Sequence, residues 1–184
     1  MEGVTHEAAS LAGHLKLDNL VVFYDDNSIS IEGSTGLAFT ENVAKRFEAY
    51  GWRVVRIDNA NDTAQVLKGM EEAQASDGRP TFVDCKTVIG FGSPSKAGSA
   101  KSHGEPLGVD DVAGAKAALG FPPEPFHIPQ EVREMVDARV AELEAEAAKW
   151  DVEFQKFVEA NPDKAALISD MLSLKVPGNI LEQL

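Results

Sequence analysis

The sequence has one cysteine and a shortage of basic residues, and each scarcity excludes something. Cys85 has no partner for an internal disulfide, and its place inside an apolar run predicts a buried, inert thiol rather than a nucleophile or ligand. Acidic residues outnumber basic ones by 30 to 17, a formal charge of -13, which repels nucleic acid and anionic lipid surfaces. Any phosphate group bound here must be gripped locally. No run of about 18 apolar residues is present to span a bilayer. The opening MEGVTHEAAS lacks the charged and apolar regions of a secretory signal, so the cytoplasm is the expected compartment. What is present is enough apolar residue, 43% of 184, for one domain with a real core and a helical appendage.

The apolar pattern alternates between helix and strand. Val4, Ala8, Leu11 and Leu15 recur at helical spacing across Gly3 to Leu17, up to the turn-like Asp18-Asn19. Leu20 to Tyr24 is a continuous apolar run, expected to be a strand covered on both faces, and it ends in the polar string Asp25-Asp26-Asn27-Ser28. After a Gly/Ser/Thr-rich stretch from Ser28 to Thr40 comes a helix with Val43, Ala44 and Phe47 facing the core, then a strand from Trp52 to Ile57. Asp62 and Gln65 suggest a capping box for a helix that buries Val66, Met70 and Ala73 and closes at Asp77-Gly78. Thr81 to Ile89 reads as the third strand.

Such alternation predicts an α/β fold, a parallel sheet with helices on both faces, whose ligand sites lie beyond the carboxyl ends of the strands. The loops after Tyr24 and after Ile89 are therefore the informative ones. The second, Gly90 to Gly108, is too long and glycine-rich for a simple connector. Beyond it the pattern predicts a short helix from Asp110 to Leu119 stopped by Gly120, a proline-rich crossing, a long charged helix from about Gln130 to Ala160, and another from Asn161-Pro162 through Leu174. The expected organisation is a partial α/β domain over 1–120, a helical extension over 121–175 and the start of an interdomain linker over 176–184.

Three segments, EGVTHEAASLAGHLKLDNLVVFYDDNSISI, RFEAYGW and KTVIGFGSPSKAGSAKSHGEPLG, resemble the transketolases in order and spacing, and FHIP with the long helix after it extends the resemblance over nearly the whole chain. The resemblance implies a thiamine-diphosphate-binding fold and transfer of a two-carbon ketol unit from a ketose phosphate to an aldose phosphate. It implies thiamine diphosphate as cofactor, anchored through Mg2+ or Ca2+. A dihydroxyacetone synthase-like ketol transferase shares these motifs, and a non-catalytic transketolase-like fragment is a further alternative.

Carried over residue by residue, the resemblance assigns two metal ligands, the Asn27 side chain and the Ile29 carbonyl. A hard cation favours such oxygens. His103, in SHGEPLG, matches a histidine that contacts the cofactor diphosphate and the donor sugar, and is the strongest catalytic candidate; an imidazole there can donate a hydrogen bond or relay a proton. Ile31 and Ile89 match apolar residues around the thiazolium, and Gly90 begins the loop beneath it. Glu2 and Glu7 match a carboxylate network near the dimer contact that links two cofactor sites, so the resemblance implies catalytic roles for both and cofactor binding for Glu2. A helix N-terminus favours carboxylates electrostatically as well, so a structural role for these two is equally open.

His6, His14 and His127 gain no such support and are expected at the surface or in packing. Lys96 and Lys101 are expected to be solvated. The family's Gly-Asp-Gly metal aspartate would precede Met1, and the glutamate-bearing pyrimidine domain would come from a second subunit. The expected partners are thus the remaining segments of a homodimeric transketolase and sugar phosphates, and the chain alone is expected to be inactive.

Overall fold

A computed structural model of the chain describes residues 3–176 and 178–179. Glu2, and the expected linker from residue 180 onward, lie outside the described residues. The chain divides into two compact units, 1–123 and 124–184.

The first unit is built on three parallel strands: β1 (Val21–Asp26), β4 (Arg53–Ile57) and β5 (Thr81–Lys86), in the order β1-β5-β4. The central strand sets Val21 beside Thr81 and Asp26 beside Lys86 on one side, and Arg53 to Ile57 beside Thr81 to Cys85 on the other. Phe82 and Val83 are wholly buried and, as consecutive strand residues, point to opposite faces. Each anchors one half of the core.

On the Phe82 face lie α1 (Gly3–His14) and α2 (Val43–Ala49). Phe47 of α2 stacks on Phe82 with ring centroids 3.9 Å apart and meets Trp52 edge-on at 5.1 Å. Trp52 is 3% exposed, and its indole N–H donates to the Ala9 carbonyl at 2.8 Å, which ties α1 to the start of β4. On the Val83 face α3 (Thr63–Gln74) packs Ala73 into a cluster with Val55, Ile57, Val83 and Cys85. The Cys85 thiol is buried as expected, and burial raises its pKa, so it holds little thiolate.

Several expectations need correction. In α1 the buried residues are Ala9 and Ala12, while Val4, Leu11 and Leu15 are more than half exposed. Ala9 and Ala12 join Phe47, Trp52 and Phe82 in the core cluster on this face. Helix α1 ends at His14, short of Leu17, with Lys16 at φ 52. Strand β1 continues two residues past Tyr24, because Asp25 and Asp26 find partners on β5, but Phe23 is half exposed and only one face of β1 is well covered. In α3, Gly69 and not Met70 faces the sheet: a Cβ on Gly69 would sit 2.4 Å from Ile57 Cδ1. Asp62 does cap α3, accepting from Ala64 N at 2.9 Å, but Gln65 turns back to Asn59 N rather than to Asp62 N. Strand β5 stops at Lys86, three residues before Ile89.

The stretch after β1 forms a small hairpin, β2 (Ile29–Ser30) with β3 (Gly33–Ser34), followed by a 3-10 turn at Thr35–Leu37. After β5 the chain makes tight turns, a one-turn helix α4 (Lys101–Gly104), and α5 (Val109–Leu119), which ends on the left-handed Gly120. The second unit comprises α6 (Gln130–Ala160) and α7 (Pro162–Leu172). Asn161 breaks the two apart, both its backbone N–H and its side-chain amide donating to Phe157 O, and Pro162 then starts α7. No described helix is long and apolar enough to cross a membrane.

Candidate functional site

The carboxyl ends of all three strands open on one edge of the sheet, and three loops leave from it. The turn after β1 is built by Asn27, whose side-chain Oδ1 accepts from Ile29 N at 2.9 Å. Ser28 between them sits at φ 61, a left-handed conformation that residues with a Cβ rarely adopt. The hairpin then folds back, with Thr35 N donating to Ser28 O at 3.0 Å. Asn27 is half-buried, Ile29 lies in β2, and Ile31 at the hairpin tip is 68% exposed.

The loop after β5 is stitched to both neighbours. Thr87 N donates to Asp26 O at 3.3 Å, Ala60 N to Lys86 O at 2.8 Å, and Val88 N to the Asn61 side chain at 3.2 Å. Ile89 is half-buried and its carbonyl accepts from Gly98 N at 2.8 Å. Gly90 has φ 63, and a Cβ there would meet Ser102 Oγ at 2.5 Å, so this position requires glycine both for backbone and for space. That close approach brings Gly90 next to the neighbour of His103.

Further along, Ser93 is 5% exposed and its hydroxyl, like that of Ser95, donates to Asp111 Oδ2. Those two bonds hold the Asp111 carboxyl below the usual carboxylate range and pin the loop to α5. Lys96, expected to be solvated, is instead drawn in: its ammonium donates to Pro106 O at 2.8 Å and lies 3.9 Å from Glu105. The loop has its own framework.

His103 sits in α4, exposed, with its backbone N–H on Ala100 O. Among the described residues no hydrogen bond joins its ring to Asn27 or to any other group. Glu7 is exposed on α1 and likewise unpaired among the described residues; Glu2 lies outside them. His6 is half-buried with Nδ1 3.3 Å from the Tyr50 hydroxyl, whereas His14 and His127 are exposed.

A polar cavity of about 350 Å3, lined by Tyr24, Asp26, Glu41, Arg56, Asp84 and Lys86 among others, flanks this edge beside α2. Sequence reasoning passed over it. Its signal was the pair Asp84 and Lys86 interrupting an otherwise apolar strand. Burial first, then the nearby Asp26, pushes the Asp84 carboxyl above its ordinary value, and Asp84 Oδ1 is buried without a partner. Burial and the same carboxylates raise the Tyr24 phenol. Glu41 is held low by its bidentate bond to Arg46.

Among the described residues no group of three or more His, Cys, Asp or Glu gathers to hold a metal ion. The oxygens at the Asn27–Ile29 turn are an amide and backbone carbonyls, which suit a hard cation. Asn27 Oδ1 suits that role because an amide oxygen has two lone pairs and Ile29 N occupies one.

Residues 1–177 match the family model described as "Transketolase, thiamine diphosphate binding domain". Transketolase 1 of Escherichia coli (strain K12) is 44% identical over 97% of this chain, and the transketolase of Geobacillus stearothermophilus is 44% identical over 96%. Among solved structures, transketolase from Leishmania mexicana superposes with a TM-score of 0.84 at 39% identity, and a Pichia stipitis transketolase complex with sedoheptulose-7-phosphate with 0.82 at 41%, each over 97% of this chain. The chain spans 27% of the length of each of these relatives. The matches favour a transketolase component over the dihydroxyacetone synthase-like and non-catalytic alternatives.

Proposed function

The chain belongs to the transketolase family, in its thiamine-diphosphate-binding domain, and from that membership we propose that it supplies the metal- and diphosphate-holding part of a transketolase active site. The complete enzyme transfers a two-carbon ketol unit from a ketose phosphate to an aldose phosphate, and the cofactor, when bound, supplies the stabilised carbanion that such transfer requires. The sugar-phosphate complex of the Pichia stipitis relative supports this class of donor.

The observation that carries the reading is the parallel register of β1 with β5. It sets Asp26 beside Lys86, so the Asn27–Ile29 turn and the Ile89–Gly90 turn leave adjacent strands at the same edge. Asn27 Oδ1 and the Ile29 carbonyl are the ligands this chain would offer to Mg2+ or Ca2+. Gly90 lets the backbone pass close to the cofactor, and Ile31 and Ile89 flank the thiazolium. His103, exposed and without a ring partner among the described residues, can donate to a diphosphate oxygen or to the donor sugar. Glu2 and Glu7 belong to carboxylates that link the two cofactor sites of a homodimer, with the pyrimidine-binding domain coming from the second subunit. The assembly works in the cytoplasm.

Substitution at Asn27 and His103 separates the roles. In the complete assembly, Asn27→Ala is expected to weaken metal-dependent cofactor binding about tenfold or more, while His103→Ala mainly lowers kcat, about 100-fold, and weakens cofactor binding less than Asn27→Ala does. Isothermal titration with thiamine diphosphate and Mg2+, followed by steady-state transfer rates, measures both. Metal-independent cofactor binding would defeat the proposal.

A further inference from the structure

The end of β1 is gripped on both faces by Lys86, the last residue of β5, and Thr87, the first beyond it. Asp25 and Asp26 are consecutive, so their side chains leave opposite faces of the strand. The Thr87 hydroxyl donates to Asp25 Oδ1 on one face, and the Lys86 ammonium pairs with Asp26 Oδ2 on the other. Between them Thr87 N donates to Asp26 O at 3.3 Å. The gripping strand is itself tethered, through Ala60 N to Lys86 O and Val88 N to Asn61 Oδ1.

The next residue along is Asn27, followed by Ser28 in its left-handed conformation. A strained turn keeps its shape only where its flanks over-determine it. On one side the hairpin holds it, by Thr35 N to Ser28 O. On the other side the residues directly before it are Asp25 and Asp26, whose side chains bond Thr87 and Lys86. Both contacts lie largely at the surface, Lys86 being 53% exposed, where such pairs add little to stability. What they constrain is the backbone that leads directly into Asn27.

We propose that Thr87, acting through Asp25, is a positioning residue for the Asn27–Ile29 pair of cation ligands, with Lys86 and Asp26 as its counterpart on the opposite face. This rests on the reading of Asn27 as a metal ligand. Outer groups that orient a ligand change metal affinity about 10- to 100-fold when removed; for a tether one residue away the lower end applies.

The test is a Mg2+ titration of the complete assembly at saturating thiamine diphosphate, read by protein fluorescence. Thr87→Val, which keeps the shape and removes the hydroxyl, is expected to raise the Mg2+ midpoint about tenfold. Thr87→Ser restores the wild-type midpoint, Asp25→Ala matches Thr87→Val, and the double variant is no worse than either alone. Melting of the metal-free protein stays unchanged in Thr87→Val. A wild-type midpoint in Thr87→Val, multiplied effects in the double variant, or an equal loss of metal-free melting temperature each overturns the positioning role while Asn27→Ala still shifts the midpoint. If Asn27→Ala leaves the midpoint where it was, the ligand reading itself fails and the inference goes with it.

Discussion

Asp84 is the residue most at odds with its surroundings. It sits on the central strand beside Tyr24 and Arg56, with Asp26, Lys86 and Asp58 around it, and one carboxylate oxygen is buried without a hydrogen bond. Burial outweighs the attraction of Lys86 and Arg56 and raises its pKa, so the folded state holds that proton more tightly than the unfolded chain does. Its contribution to stability is therefore intact below the ordinary carboxylate value, about 3.9, and is lost as pH climbs through the raised value. Asp84→Asn removes the charge at nearly constant shape. The variant should melt roughly a few degrees above the parent at pH 7, with the gain shrinking toward zero near pH 4. Melting curves collected from pH 4 to pH 8 check this, and a gain that grew on acidification would refute it. The opposite sign applies to Glu41, Asp62, Asp77 and Asp111, whose pKa values are lowered by hydrogen bonds and whose contributions fade as pH falls.

Among the elements, α1 depends on a single missing side chain. A Cβ on Gly13 would lie 1.9 Å from the Tyr50 carbonyl oxygen, a backbone atom that cannot swing away, and 3.4 Å from the Trp52 ring. Alanine would normally favour a helix by up to about 1 kcal/mol over glycine, but here overpacking of about 1–3 kcal/mol wins. Gly13→Ala should lower the melting temperature and speed amide exchange in α1, whereas Gly3→Ala, with nothing within 4 Å, should be neutral. Equal melting of the two variants would show that α1 does not rest on α2 in this way. Helix α1 is also where the sequence pattern led to the wrong face. Helical spacing picked out Val4, Ala8, Leu11 and Leu15, because periodicity registers apolar character and not which stripe the sheet covers; the residues buried are Ala9 and Ala12. Where size and polarity agreed, as at Val43, Ala44 and Phe47 or along α6, the pattern led to the right face or the right bounds. Strand ends were misjudged for a complementary reason: Asp25 and Asp26 look like a turn, yet their partners on β5, distant in sequence, keep them in the ladder.

For the whole molecule, the candidate site was legible only in part. Asn27, Gly90 and His103 stood out because their motifs are long, and the register of β1 with β5 accounts for why residues some 60 positions apart share an edge. The Asp84 cavity and the Thr87 tether were not legible, since both depend on which strands are neighbours. Charge was legible, and it makes a prediction about the ligand. With 30 acidic residues against 17 basic, the field of this chain opposes a diphosphate at long range. A protein that captured phosphate through basic residues would lose affinity steeply as salt rises. On the proposed reading of Asn27 and Ile29 a divalent cation provides the attraction at short range, where screening over a Debye length of about 8–10 Å has little effect, while the repulsion that salt does screen comes from further away. Thiamine diphosphate binding to the complete assembly at saturating Mg2+ is therefore expected to hold steady or tighten by about twofold between 20 and 200 mM NaCl, and to vanish at either salt when the cation is chelated. Calorimetric titrations at the two salt concentrations, with and without chelator, measure it. An affinity that fell tenfold with salt and survived chelation would place the diphosphate on lysine and arginine side chains instead, and would remove Asn27 and Ile29 from the centre of the site.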